Sequence, residues 1–211
     1  GWLTDLFKKQ DDTPVTTKNA DMINGYAPIF SQFGTNIYAS DVVQQAINCI
    51  VSEMKKLRPE HIRENGSDVY PVNSSLQRVL NNPNPLMTTS DFLEQVTWLL
   101  FLNYNAFIVP FWREYEDSKG TVIRQYDSLY PIQPTQVDFI EDAKGDLYAK
   151  FRFRDGSGYT LKYSDIIHIK LHYSVNQYMG GNEQGQPDNQ ALIKTLSLNN
   201  KMLNGVSAAM D

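Results

Sequence analysis

Residues 83–112 read PNPLMTTSDFLEQVTWLLFLNYNAFIVPFW, and the change of period inside this stretch decides the fold. Pro83 and Pro85 hold the residues before them out of helical conformation, so the stretch opens as a turn. Asp91 and Glu94 then stand at the spacing of a capping box, with Ser90 as the alternative cap. Phe92, Val96, Leu99 and Leu100, with Trp98 beside them, make the next turns apolar on much of their circumference. Such a helix is buried rather than draped over a surface. After Asn103 the period becomes two: Phe107, Val109 and Phe111 fall on one side, Ile108 and Trp112 on the other. A buried helix therefore feeds directly into a strand.

Upstream, Val42, Val43, Ala46, Ile47, Ile50, Val51, Met54 and Leu57 recur at helical spacing behind Ser40, a candidate N-cap, and Pro59 ends the run. Cys49 lies among these apolar residues and reads as a small buried hydrophobe. Asn65-Gly66 predicts a short strand pair over 60–72. Ser74 opens a short helix through Leu76, Val79 and Leu80, stopped at Asn82-Pro83. Trp98, Trp112 and Tyr104 read as core packing, since no basic residues alternate with them as in a base-stacking platform.

Downstream, Gly-containing loops at Lys119-Gly120, Lys144-Gly145 and Asp155-Gly156-Ser157-Gly158 join strands over 106–116, 121–130, 137–140, 148–153 and 159–162. A last strand covers 166–171. Residues 174–187 predict a long mobile loop. Asp188 caps a final helix through Leu192, Leu196 and Leu203, with Asn204-Gly205 as its stop. The fold class is α+β, a mostly antiparallel β-meander packed with several α-helices. The division is an extended N-terminal arm at 1–37, an α+β domain at 38–172, a mobile loop at 173–187 and a helical region beginning at 188–211. The last six residues after Gly205 read as a longer polypeptide cut short.

Composition narrows the chemistry. The 211 residues carry a net charge of −5, and 12 % of them are aromatic. No dense basic cluster is present to neutralise phosphates, which argues against tight, sequence-specific DNA binding. One cysteine forbids an internal disulfide. No apolar run approaches the ~18 residues of a membrane span.

Candidate sites are few. His168, Lys170 and His172 share a strand face near Asp165, yet no third metal ligand stands at convincing spacing, so they read as an exposed polar face. His61 reads as a surface residue. Glu114, Glu116 and Asp117 gather beside Lys119 at a hairpin tip and read as a solvated loop rather than a catalytic pair. Gly180, Gly181 and Gly185 lack the Lys-Ser/Thr of a phosphate loop. Asp155–Gly158 lacks a hydrolase elbow. The residues assign no catalytic, cofactor or metal position. The rival reading is an α+β hydrolase or metal-dependent enzyme built on His168, His172 and the 114–117 carboxylates.

Four stretches carry a family resemblance: Tyr38-Ala39-Ser40-Asp41 through Ile50-Val51 to Leu57-Arg58-Pro59; Leu80-Asn81-Asn82-Pro83-Asn84-Pro85-Leu86-Met87-Thr88, with its helix and Asn103-Tyr104-Asn105-Ala106-Phe107; Leu129-Tyr130-Pro131-Ile132-Gln133-Pro134 with Val137; and Asp165-Ile166-Ile167-His168-Ile169 with the closing helix and Asn204-Gly205. In this succession, over about residues 38–207, the chain resembles the portal proteins of tailed bacteriophages. The resemblance implies the outer, wing-like α+β part of such a protein and the start of its central helices. It implies a non-enzymatic virion protein in a homo-oligomeric ring, usually a dodecamer, assembled in the host cytoplasm with no membrane step. Double-stranded DNA passes through such a ring without sequence-specific binding. The implied partners are the terminase motor, the capsid and head–tail adaptor proteins, and the alternative is another virion structural protein.

Overall fold

The computed structural model describes residues 21–22, 41–171 and 178–181, and positions 198, 201, 202 and 205. Ser40, His172, Asp188 and most of the closing helix lie outside them.

Helix α1 (Asp41–Met54) buries Val43, Ile47 and Val51 against Trp98, Phe101 and Leu102. Cys49 is exposed, not buried as its neighbours imply. It stands two residues from both Ile47 and Val51, so it lies about 200° round the helix from each. Strands β2 (Ile62–Asn65) and β3 (Asp68–Pro71) form a hairpin. Gly66 opens its two-residue loop at φ 66°, the position where a type II′ turn requires glycine. Helix α2 (Ser75–Asn81) starts at Ser74, whose hydroxyl accepts from Gln77 N–H at 3.1 Å. His61 is not a free surface side chain. Its Nδ1 lies 2.7 Å from that same hydroxyl.

Helix α3 (Thr89–Asn103) begins three residues earlier than Asp91, and two earlier than Ser90, would place it. Thr88 is the cap. Its hydroxyl accepts from Asp91 N–H, and Asp91 Oδ2 accepts from Thr88 N–H at 3.0 Å. The Thr88 hydroxyl also donates to Asp91 Oδ2 at 2.7 Å, and this bond, with that from Thr88 N–H, holds the Asp91 carboxyl below its ordinary pKa. Ser90 instead donates to the Lys55 carbonyl and ties α3 to the end of α1. Phe92, Val96 and Leu99 pack toward α2 and the sheet, whereas Leu102 faces α1. The helix is thus buried on two sides.

Three strands form the sheet beneath α3, in the order β5 (Val122–Ile132), β4 (Asn105–Glu116), β9 (Ile167–Lys170). A second sheet runs β1 (Asp21–Met22), β6 (Gln136–Glu141), β7 (Leu147–Arg152), β8 (Gly158–Lys162). All pairings are antiparallel. The single meander divides in two for local reasons. Pro134 has no N–H with which to continue the β5 ladder. Later, the 3₁₀ turn Tyr163–Asp165 sends the chain back to β4 rather than onward beside β8.

Between the sheets lie Phe107, Val109 and Ile132 from the first and Val137, Phe139, Ala149 and Phe151 from the second. Phe107 meets Phe151 edge to face at 5.2 Å. Each of the Phe, Ile and Val side chains here stabilises the fold by about 1.5–3 kcal/mol through burial. Met179 completes this cluster, although it belongs to the stretch expected to be a loop. Tyr178 stacks on Phe139 beside it.

Candidate functional site

The densest buried polar chemistry lies where α3 turns into β4. Tyr104 takes the left-handed conformation, φ 57°, the only positive φ outside glycine among the described residues. It reverses the chain in a single step, so Asn105 enters β4 directly behind the helix end. Asn105 is 2 % exposed, and its carboxamide is fully used. Nδ2 donates to the carbonyls of Asn103 at 3.0 Å and Gly180 at 3.1 Å. Oδ1 accepts from Gly180 N–H at 2.8 Å and from His168 Nε2 at 2.9 Å. Because Gly180 N–H can only donate, the amide orientation is settled, and the imidazole must carry its proton on Nε2. His168 Nδ1 then accepts from the Tyr163 hydroxyl at 3.0 Å.

The ring of His168 stacks on Phe107 at 4.1 Å and faces Phe139. Burial, with a smaller push from the Lys170 ammonium, lowers its pKa to about 3, so it is neutral at physiological pH. Burial also raises the Tyr163 phenol. This overturns the exposed polar face expected for His168, which lies between the two sheets. Lys170, one pair further along, is exposed.

Gly180 passes through a gap that only glycine fits. A Cβ there would stand 2.5 Å from the carbonyl oxygens of Leu171 and Tyr104. Tyr104 O also accepts from Leu171 N–H at 2.9 Å. The chain leaves β9 at Leu171, returns through Tyr178–Gly181 and is fastened to the start of β4. Asn105, Tyr163 and Gly180 were not singled out as one site by sequence reasoning. The signal was Asn105 in first place on the strand after the helix, and Tyr178-Met179 set among polar residues.

The other candidates are held apart from this junction by their own bonds. Glu114 pairs with Arg124 at 2.9 Å, and Arg124 reaches Asp165 at 3.3 Å. Asp117 accepts from Lys119 N–H and Thr121 N–H, which closes the hairpin tip. Asp155 does the same for its loop through Ser157, which lowers the Asp155 pKa. Arg113 and Arg78 both reach Asp127, the residue left unopposed by a bulge in β5. Trp98 packs against α1, and Trp112 lies under the Arg124 guanidinium. Among the described residues no group of three His, Cys, Asp or Glu side chains could hold a metal ion. No described helix is long and apolar enough to cross a membrane.

Comparison with known proteins places this architecture. A chain from the "Neck of empty GTA particle computed with C6 symmetry" superposes with a TM-score of 0.64 at 14 % identity, over 93 % of this chain and 50 % of that one. A chain from the "Virion of native gene transfer agent (GTA) particle" gives 0.60 at 15 % identity, over 86 % and 44 %. One from the "Neck of native GTA particle computed with C12 symmetry" gives 0.60 at 14 % identity, with the same shares. The chain thus spans about half the length of these structures, and at such identities they establish the fold. No match is found among curated proteins. The family described as "Phage portal protein" matches residues 41–211. That match takes in α1 to α3, the strands from β2 to β9 and the junction at Asn105, so the chain belongs to the phage portal protein family.

Proposed function

We propose that the chain is a structural part of a portal subunit, a member of a closed homo-oligomeric ring, twelve-fold in the virion, through which DNA is packaged and ejected. The observation that carries the reading is the family match over residues 41–211. The similar chains come from particle necks treated with six- and twelve-fold symmetry, which supports a ring. In this reading residues 38–172 form the wing-like part, residues 1–37 an N-terminal arm, and residues 188–211 begin the central helical region beyond a connection at 173–187. The partners are the terminase motor, the capsid and head–tail adaptor proteins, met during assembly in the host cytoplasm.

The role is mechanical rather than catalytic. Both ring nitrogens of His168 are engaged within the fold, and the Glu114 and Asp117 carboxylates hold a hairpin. A net charge of −5 suits a conduit wall. Each phosphate contact adds counterion-release affinity, and an acidic wall makes few of them. Electron microscopy of the complete gene product tests the proposal. Closed rings are the expected result, and only monomers or open filaments at high concentration would overturn it.

A further inference from the structure

Strand β6 is buried on both faces, although the described residues leave most of one side of it without a neighbouring strand. Val137 and Phe139 point between the two sheets, so alternation turns Asp138 and Ile140 to the other face. There Ile140 is 7 % exposed yet joins none of the described core clusters, and Asp138 is 2 % exposed. The Asp138 carboxylate receives one hydrogen bond, from Gln136 Nε2 at 3.0 Å, and the half-exposed Arg152 guanidinium stands 3.5 Å off. Two carboxylate oxygens accept about four hydrogen bonds, and a buried charge left short of donors is costly. On one side of β6 lies β7. Along the other the described residues supply only β1, with Asp21 opposite Glu141 and Met22 opposite Ile140. The edge beside Gln136–Phe139 thus holds a buried carboxylate with acceptor capacity to spare.

The register of those two pairs says what fits there. In an antiparallel ladder each step forward on one strand is a step back on the other. Carried on from Met22, it sets Ile23 opposite Phe139, Asn24 opposite Asp138, Gly25 opposite Val137 and Tyr26 opposite Gln136. Directly opposed residues share a face, so Ile23 falls on the apolar side and Asn24 on the side of the buried carboxylate. A slip of one residue would turn Asn24 onto the core face. Growth in the other direction is disfavoured, since Asp21 and Glu141 already set like charges directly opposite each other. We propose that residues 23–26 of the same chain dock along the β6 edge as the continuation of β1, with the Asn24 carboxamide donating to Asp138. The contact fastens the N-terminal arm to the second sheet. It goes beyond the ring reading and holds whether or not rings form.

The complete gene product carrying Cys49→Ala, Asn24→Cys and Asp138→Cys tests the register. Directly opposed Cβ atoms lie about 4.5–5.5 Å apart, a small backbone adjustment from disulfide distance. Mild oxidation is expected to link the pair within one chain, giving a monomer band that migrates faster until it is reduced. Ile23→Cys in place of Asn24→Cys puts the two thiols on opposite faces and should give no link. An absent link, or an equal one in the slipped pair, overturns the register. A reducible ladder of dimers and larger species overturns the same-chain assignment and gives the edge to the arm of another copy. As an independent measurement, Asn24→Asp sets a second carboxylate opposite Asp138, and limited trypsin cleavage after Lys18 is expected to quicken about tenfold. Adding Asp138→Asn should restore the original rate. Cleavage unmoved by Asn24→Asp overturns the docking.

Discussion

Asn105 shows how much one carboxamide can hold. Asn105→Ala strands Gly180 N–H, the Gly180 carbonyl and His168 Nε2–H in the interior, at about 1–3 kcal/mol for each orphaned group before relaxation. A loss of about 3 kcal/mol in urea unfolding is expected, and a loss below about 1 kcal/mol would contradict the network. Gly180→Ala meets two carbonyl oxygens that belong to backbone, so a similar loss is expected there with every hydrogen-bonding group still in place. His168 makes stability depend on pH. Its folded pKa of about 3 lies below the ordinary 6.5, so the unfolded chain binds the extra proton. The stabilisation is complete above the unfolded value and is lost as pH falls toward the folded one. Between pH 7 and 4.5 it contributes about 2–3 kcal/mol, and His168→Gln should flatten that part of the urea-midpoint profile. None of this was legible in His168-Ile169-Lys170-Leu171-His172. Alternation tells which residues share a face, but not that residues 136–162 return as a second sheet to cover it.

The elements themselves were readable, because each has a local cause. The periods of 83–112 change where α3 becomes β4, and the glycines at 66, 120, 145 and 156 mark tight turns with positive φ. What slipped was register. Thr88-Thr89-Ser90-Asp91 offers several caps, and the choice fell on Thr88 because its partner Asp91 can reach back to it. Thr88→Ala should therefore cost about 1 kcal/mol in thermal or urea unfolding, whereas Ser90→Ala should leave the helix cap intact. Cys49 slipped for a geometric reason, since membership in an apolar run does not fix a residue's side of the helix. Pro134 and the Tyr163–Asp165 turn mark where the meander divides. Which sheet receives β9 depends on β4 offering an open edge, a property of the assembled strands rather than of any segment.

At the scale of the molecule, the order of landmarks was legible over most of the chain because family membership is written in their succession, and the family match from residue 41 agrees with it. Exposure was not, since an exposed Tyr115 and a buried one look alike in a strand pattern. Nor was the route of Tyr178–Gly181, which threads between the sheets after the chain has left β9. That route determines how tension is carried. A pull on the polypeptide beyond Gly181 first meets Met179 in the core and the paired bonds of Gly180 to Asn105. Without them, the same pull would unzip β9 from β4 one pair at a time. In single-molecule stretching from the C-terminal side, the unaltered chain should give one abrupt high-force rupture. Asn105→Ala should give a graded, low-force opening, and identical force records would show that the strand edge bears the load after all.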